Sequence, residues 1–297
     1  MIYIFTDILK KEIIKKNEPL KNHCTFKTGG LCEYFLTPES MEKFTKVIEI
    51  CRKNGIPFFV LGNGSNLLFT DDFHKGAYIS TVKLCDISEE NGIITAGCGA
   101  KLSSVCNFAA SLSLSGLEEL SGIPGTLGGA VCMNAGAYGG EIKNVIKTVK
   151  YVDTDGEIIT VTGDECNFGY RQSIFTDGQK FIVSAELELK KDDKSAISER
   201  MADFRKRRCD KQPLAYPSAG STFKRPEGYF AGALIEQAGL KGCSIGGAAV
   251  SDLHAGFVIN CGDATAKDVL DLISHIQKTV YDKFGVKLEP EVRILGE

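Results

Sequence analysis

The residues able to do chemistry fall in two glycine-rich loops and around an arginine, a serine and a carboxylate pair. Gly62-Asn63-Gly64-Ser65-Asn66 follows the apolar run from Ile56 to Leu61. Glycines free consecutive backbone N–H groups, and Ser and Asn add donors, so the loop suits a pyrophosphate. The same residues also make a plain turn. The loop has neither the P-loop pattern nor its lysine, and Leu67-Leu68-Phe69 continues as strand instead of opening a helix. A P-loop and a Rossmann site are therefore both unsupported. The second loop, Gly122-Ile123-Pro124-Gly125-Thr126, leads into Leu127-Gly128-Gly129-Ala130. So many small residues let a ligand approach the backbone, or let a helix cross a sheet tightly. Two such loops in one domain favour a long dinucleotide.

Arg171, in Tyr170-Arg171-Gln172-Ser173, can grip a carboxylate with two parallel hydrogen bonds, or sit in a surface ion pair. Ser221 lies in a small-residue turn beside Lys224. With no G-x-S-x-G elbow, and His254 the nearest histidine, a hydrolase triad is weakly supported. A serine that only delivers a proton needs no triad. Glu289-Pro290-Glu291 carries two carboxylates that the proline separates, and composition alone makes this end a surface tail.

These residues need elements to position them. Met41, Phe44, Val47, Ile48 and Cys51 recur at helical spacing between a capping Ser40 and a stopping Gly55. Leu102 to Leu114 is a second amphipathic helix. Strands are expected at Ile56–Leu61, Ala77–Val82, Gly92–Ala96 and Lys180–Lys190, with a hairpin from Val149 to Val161 turned at Asp155-Gly156. The charge cluster Lys190-Lys191-Asp192-Asp193-Lys194 is the best linker candidate. A basic helix, Ile197 to Arg208, follows; its Arg205-Lys206-Arg207-Arg208 run is either a solvated face or an anion site. The last helix runs from Lys267 to Phe284, with Thr265 and Asp268 as a capping-box-like pair.

The chain has 297 residues, 43% hydrophobic and 25% charged, with 35 basic and 38 acidic side chains and a net charge of −3. That is globular usage with room for two domains, not a disordered chain or a coiled coil. A near-neutral acidic chain is not a nonspecific nucleic-acid or membrane-surface binder. The opening MIYIFTDILKKEIIKK has charges from Asp7 onward and no apolar run for a signal sequence. Leu120 to Gly140 lacks charge but holds seven glycines and Pro124, which makes it loop material and not a membrane span. Eleven cysteines with no C-x-x-C read as reduced, mostly buried packing residues of a cytoplasmic protein, and no metal is expected.

In order, Thr25–Gly30, Leu61–Leu68, Ser121–Ala130, Met133–Gly139, Gly169–Ser173, Ala219–Pro226 and Leu288–Arg293 make the chain resemble the UDP-N-acetylenolpyruvoylglucosamine reductase family. The resemblance covers nearly the whole chain. It is to the shorter type, without the inserted tyrosine-bearing loop or the extra α/β subdomain. It implies an α+β protein with a lead segment at 1–25 and an FAD-binding domain of the p-cresol methylhydroxylase/vanillyl-alcohol oxidase type at 26–191. A smaller α+β substrate-binding domain follows at 192–297, its final segment returning to the active site. Gly62, Asn63, Gly64, Ser65, Asn66, Gly122, Ile123, Gly125, Thr126, Gly128, Gly129 and Ala130 would then hold FAD.

The implied reaction is reduction of UDP-N-acetylglucosamine enolpyruvate to UDP-N-acetylmuramate, with NADPH as co-substrate. Arg171 would hold the substrate carboxylate, Ser221 would give the proton, and Glu291 would stabilise or orient that end. Arg208, Lys211, Lys224 and Arg293 would meet the diphosphate and carboxylate. The partner would be this small molecule, not nucleic acid or membrane, and the protein a monomer. The alternative is another FAD-dependent oxidase or dehydrogenase on the same flavin fold.

Overall fold

The structure is a computed structural model and describes residues 3–6, 8–9 and 13–296. In the opening segment read as lacking a signal sequence, Asp7 and residues 10–12 lie outside the described residues, as do Met1, Ile2 and Glu297.

The chain divides into two compact units, neither of them continuous in sequence. One holds residues 1–16, 34–63 and 76–207, the other 17–33, 64–75 and 208–297. This differs from the expected division at residue 191, and the charge cluster there is not a linker. Lys190–Lys191 is a short strand paired with Leu114–Ser115. The Asp193 carboxylate accepts the Ala196 amide at 2.9 Å and so starts the helix Lys194–Lys211. Arg200 on that helix bridges Asp192 and Glu118 through one nitrogen, at 2.5 and 2.7 Å. The charges that suggested a solvated connection thus fasten the helix down. Residues 17–33 and 64–75 group with the far end of the chain, which supplies Ser218 to Thr25, Asn260 to Phe26 and a strand to Leu67–Phe69.

The first unit is built on a five-stranded antiparallel sheet, ordered Ile158–Thr162, Ile146–Val152, Phe181–Glu188, Ile93–Gly97, Ile87–Glu90. Val183, Ala185 and Leu187 alternate into its core. The expected hairpin forms: the Asp153 carboxylate takes the Asp155 and Glu157 amides, and Gly156 adopts φ +90°. A four-stranded sheet, ordered Ile14–Pro19, Leu31–Leu36, His74–Ser80, Phe58–Leu61, contains the strand that leads into the first glycine loop, parallel to its neighbour. The helix Met41–Lys53 is capped by Ser40 Oγ on the Lys43 amide and buries Cys51 together with Phe44, Val47 and Ile48, the last three each worth about 1.5–3 kcal/mol of burial. The second helix spans Leu102–Ser111, shorter than expected. Ser113 takes a left-handed φ of +59°, which frees Leu114 to pair with Lys191.

The second unit packs the helices Ala231–Gln237 and Ala266–Phe284 with a three-stranded sheet, Ser244–Ile245, Ala248–Val250, Val258–Asn260. Val269, Leu272, Ile273, Ile276 and Val280 recur at helical spacing and are buried. The Thr265–Asp268 capping box is present, and Gly285 closes the helix in the left-handed region. Leu67–Phe69 does continue as strand, and its partner is the parallel final strand Arg293–Leu295. The end of the chain is therefore not a surface tail: Leu288 and Val292 are both buried.

Candidate active site

In the first unit the two glycine loops meet. A Cβ on Gly62 would stand 2.2 Å from Thr126 Oγ1, so only glycine lets the loops close. The Asn63 amide group donates to the Pro124 carbonyl at 2.5 Å. Thr126 caps the short helix Leu127–Cys132, its hydroxyl accepting the Gly129 amide at 3.4 Å. Gly128 packs on Cys98, where a Cβ would lie 2.8 Å from the cysteine Cβ. Burial pushes the Cys98 thiol up to about 12, which leaves it a neutral packing group. Ala130 is buried, and Leu102 donates to the Gly125 carbonyl at 3.0 Å. Ile123 donates to the Leu120 carbonyl and closes the turn beside Gly122.

Gly129 is different. A Cβ there would meet only Thr126 Oγ1, at 3.6 Å, so packing among the described residues does not demand its bare Cα. A backbone kept open beside donor-rich loops fits a flat cofactor carrying a pyrophosphate, and Asn63, Thr126, Gly129 and Ala130 would hold FAD here. The rest of the first loop passes to the second unit. Gly64 adopts φ +61° and would clash with His23 O if it carried a Cβ; its own carbonyl accepts the Thr25 amide.

Arg171 sits on a tight loop closed by the Gly169–Gln172 bridge, with its backbone at φ +55°. Its guanidinium reaches the Gly136 carbonyl at 3.5 Å and lies over the Tyr170 ring, 5.3 Å from the centroid. Asn134, almost wholly buried, holds this loop in place. Its Nδ2 donates to the Gly169 carbonyl at 3.0 Å and to Glu141 at 3.2 Å, and its Oδ1 accepts the Lys143 amide. The Lys143 ammonium, 2.6 Å away, holds the Glu141 carboxyl below its usual range; Asn134 and the Arg171 charge add to the effect. Motif reading gave Asn134 and Glu141 no role. Their signal was Asn134 inside an uncharged glycine-rich stretch, a polar side chain that burial obliges to find partners.

Ser221 and Glu291, seventy residues apart in sequence, are brought together in the second unit. The Glu291 amide donates to the Thr222 carbonyl at 2.8 Å, the Lys224 amide to the Glu289 carbonyl at 2.8 Å, and Phe223 bridges Pro290. Thr222 is fixed in turn: its amide donates to Gly256 O at 2.9 Å and its hydroxyl accepts the Val258 amide at 2.9 Å. Thr222 and Phe223 are buried while Ser221 is exposed, so the hydroxyl faces outward from a rigid base. His254 braces this turn. Burial holds its pKa below the usual range, and its neutral Nδ1 accepts the Gly256 amide at 3.1 Å, shaping the turn on which Thr222 docks.

The Lys224 ammonium pairs with Glu289 at 3.2 Å, and Arg293 lies on the final strand. Arg208 and Lys211 stand three apart at the end of the helix Lys194–Lys211, on one face. Arg207 pairs with Asp203 at 2.7 Å and both are exposed, so that part of the basic run is a solvated face.

A model described as "FAD binding domain" matches residues 32–162, and one described as "UDP-N-acetylenolpyruvoylglucosamine reductase, C-terminal domain" matches residues 212–295. A protein of Clostridium novyi named UDP-N-acetylenolpyruvoylglucosamine reductase is 51% identical over 290 residues, 98% of this chain and 94% of that one. A protein of the same name from Caldanaerobacter subterraneus is 47% identical over 291 residues, 98% of this chain and 96% of its own. The chain belongs to the UDP-N-acetylenolpyruvoylglucosamine reductase family. It is a flavin-dependent oxidoreductase, and its cofactor is FAD.

The crystal structure of the Thermus caldophilus enzyme of that name superposes with a TM-score of 0.81 at 35% identity, over 94% of this chain and 98% of that one. Phl p 4.0202, a glucose dehydrogenase, matches with a TM-score of 0.53 at 13% identity over 65% of this chain and 44% of its own, a likeness of fold alone. Among the described residues no helix is long and apolar enough to cross a membrane, and no group of His, Cys, Asp or Glu could hold a metal ion.

Proposed function

We propose that the chain reduces the enolpyruvyl ether of UDP-N-acetylglucosamine enolpyruvate to the lactyl ether of UDP-N-acetylmuramate, with NADPH as the source of the hydride. The FAD-dependent reduction itself follows from membership of the family. The donor, the residue roles, the monomeric state and the cytoplasmic location are the proposed parts.

Bound FAD supplies hydride transfer at N5 between the nicotinamide and the terminal carbon of the enolpyruvyl group. As that carbon gains hydride, negative charge builds on the neighbouring carbon and its carboxylate. Arg171 offers a fixed cation with paired N–H donors for that carboxylate. Ser221 gives its hydroxyl proton to the carbon beside the carboxylate, completing the addition of hydride and proton across the double bond, and the exposed alkoxide regains a proton from solvent. A neutral hydroxyl suits this step because the enolate left by hydride addition is a strong enough base to take its proton. Glu291 orients and stabilises the same end. Arg208, Lys211, Lys224 and Arg293 supply cations for the diphosphate; Lys224 must leave Glu289 to do so.

The observation that supports the reading best is the pairing of Thr222 with Glu291, which leaves Ser221 and Glu291 on adjoining backbone segments with a buried residue locked beneath them. The test is NADPH oxidation in the presence of the enolpyruvyl nucleotide sugar, with the product weighed by mass spectrometry. The expected product is heavier than the substrate by the mass of H2, and oxygen is not consumed. NADPH-independent oxygen uptake with an alcohol or hydroxyacid, and no reaction of the enolpyruvyl sugar, would instead support an oxidase on the same flavin fold.

A further inference from the structure

Asn66 closes the first glycine loop, where its type suggests a donor to a flavin phosphate. Its contacts run elsewhere. Its Nδ2 donates to the Glu291 carbonyl at 3.1 Å, and its own carbonyl accepts the Arg293 amide at 3.0 Å. From the next residue onward the strands pair in parallel, Leu67 with Arg293, Leu68 with Ile294 and Phe69 with Leu295. The peptide groups flanking the Glu291 Cα are thus held on both sides: the N–H by the Thr222 carbonyl and the C=O by the Asn66 side chain. Before it, Pro290 has a fixed φ and no N–H of its own. Leu288 is pinned by Gln277, whose Nε2 donates to its carbonyl at 2.8 Å.

The bond from the Thr222 carbonyl to the Glu291 amide is main chain to main chain, whereas the one to the Glu291 carbonyl is made by the Asn66 side chain. We infer that the Asn66 side chain is a positioning group for Glu291, fixing its carboxylate through the Glu291 main chain, and is not a flavin-phosphate ligand. This rests on the reading of Glu291 as the group that orients the substrate's carboxylate end. Without the Asn66 donor, residues 291 and 292 keep their neighbours' ladders but lose the tie at the one carbonyl between them. A displacement of about 1 Å at a reacting group costs on the order of 100-fold in rate.

The experiment separates the two half-reactions of the FAD-loaded enzyme anaerobically by stopped flow, in the wild type, Asn66→Ala, Glu291→Ala and the double variant. FAD affinity is measured alongside. Asn66→Ala is expected to keep its FAD and its rate of flavin reduction by NADPH, while reoxidation by the enolpyruvyl sugar slows about 10–100-fold. The double variant is expected to be no slower than Glu291→Ala alone, because Asn66 acts only through Glu291. Loss of FAD or slowed reduction in Asn66→Ala would make Asn66 a cofactor ligand and overturn the inference. Multiplying effects in the double variant would also overturn it. Normal reoxidation in Glu291→Ala would instead bring down the reading of Glu291 itself, whatever Asn66 does. Should Asn66→Ala fail to fold, Asn66→Asp keeps the shape but cannot donate as a carboxylate, and the same outcomes apply.

Discussion

In the first unit the cofactor loops and Arg171 are held by side chains and by the absence of side chains: Gly62 against Thr126, Asn63 on Pro124, Asn134 on Gly169. In the second unit Ser221 and Glu291 are held mainly by main-chain bonds between segments some seventy residues apart. The two frameworks are therefore vulnerable at different places. Single substitutions should dismantle the first framework. In the second, substitutions of the reacting side chains should abolish chemistry while leaving the frame standing.

Ser221→Ala makes the sharpest test of this contrast. Ser221 is exposed, and among the described residues its hydroxyl makes no bond that holds the main chain, so folding and flavin reduction by NADPH should survive. Reoxidation by substrate should fall by about 100- to 10,000-fold, the range for a lost general acid. A normal reoxidation rate in stopped flow removes Ser221 as the donor. Arg171→Ala should follow, losing roughly 3 kcal/mol of transition-state stabilisation, the scale for a lost oxyanion-type donor, read as a drop in kcat/KM. If activity persists, the carboxylate is held elsewhere.

Gly62→Ala tests the framework of the first unit directly. Its Cβ must displace Thr126, so stability should fall by about 1–3 kcal/mol in chemical denaturation, with weaker FAD retention. Unchanged stability would mean that the loops do not need to meet. The smallest effect concerns Glu118, whose buried carboxylate accepts from Arg200, Ser115 and the Gly116 amide. Burial pushes its pKa up, but the Arg200 guanidinium and these donors outweigh it, and the net value lies below the usual range. A depressed folded pKa gives stability that is present above the unfolded value and lost as pH falls through the folded one. Glu118→Gln should therefore cost roughly 1–2 kcal/mol at neutral pH, and the deficit should shrink below about pH 4. A deficit independent of pH would mean that shape, not charge, is what Glu118 contributes.

The contrast also explains what the sequence disclosed. Helix limits set by local chemistry, such as Ser40 with Gly55 and Thr265 with Asp268, were legible because their partners lie within a few residues. The glycine loops were legible as loops, yet residue spacing could not say that Gly62 serves Thr126 while Gly64 serves His23. The unit boundary was misplaced because Asp192 and Asp193 look like linker residues until Arg200 and the Ala196 amide are seen beside them. Long-range ties left the weakest trace. Asn66 to Glu291 spans most of the chain, and nothing local to either residue announces it.

On the proposed reaction, flavin chemistry in this chain ends on the enolpyruvyl nucleotide sugar. An anaerobic visible spectrum tests it most directly, taken while the FAD-loaded protein is titrated with NADPH and then given that sugar. The flavin band should bleach with NADPH and recover fully when the sugar is added. A flavin that bleaches but stays reduced in the presence of the sugar would contradict the assigned substrate.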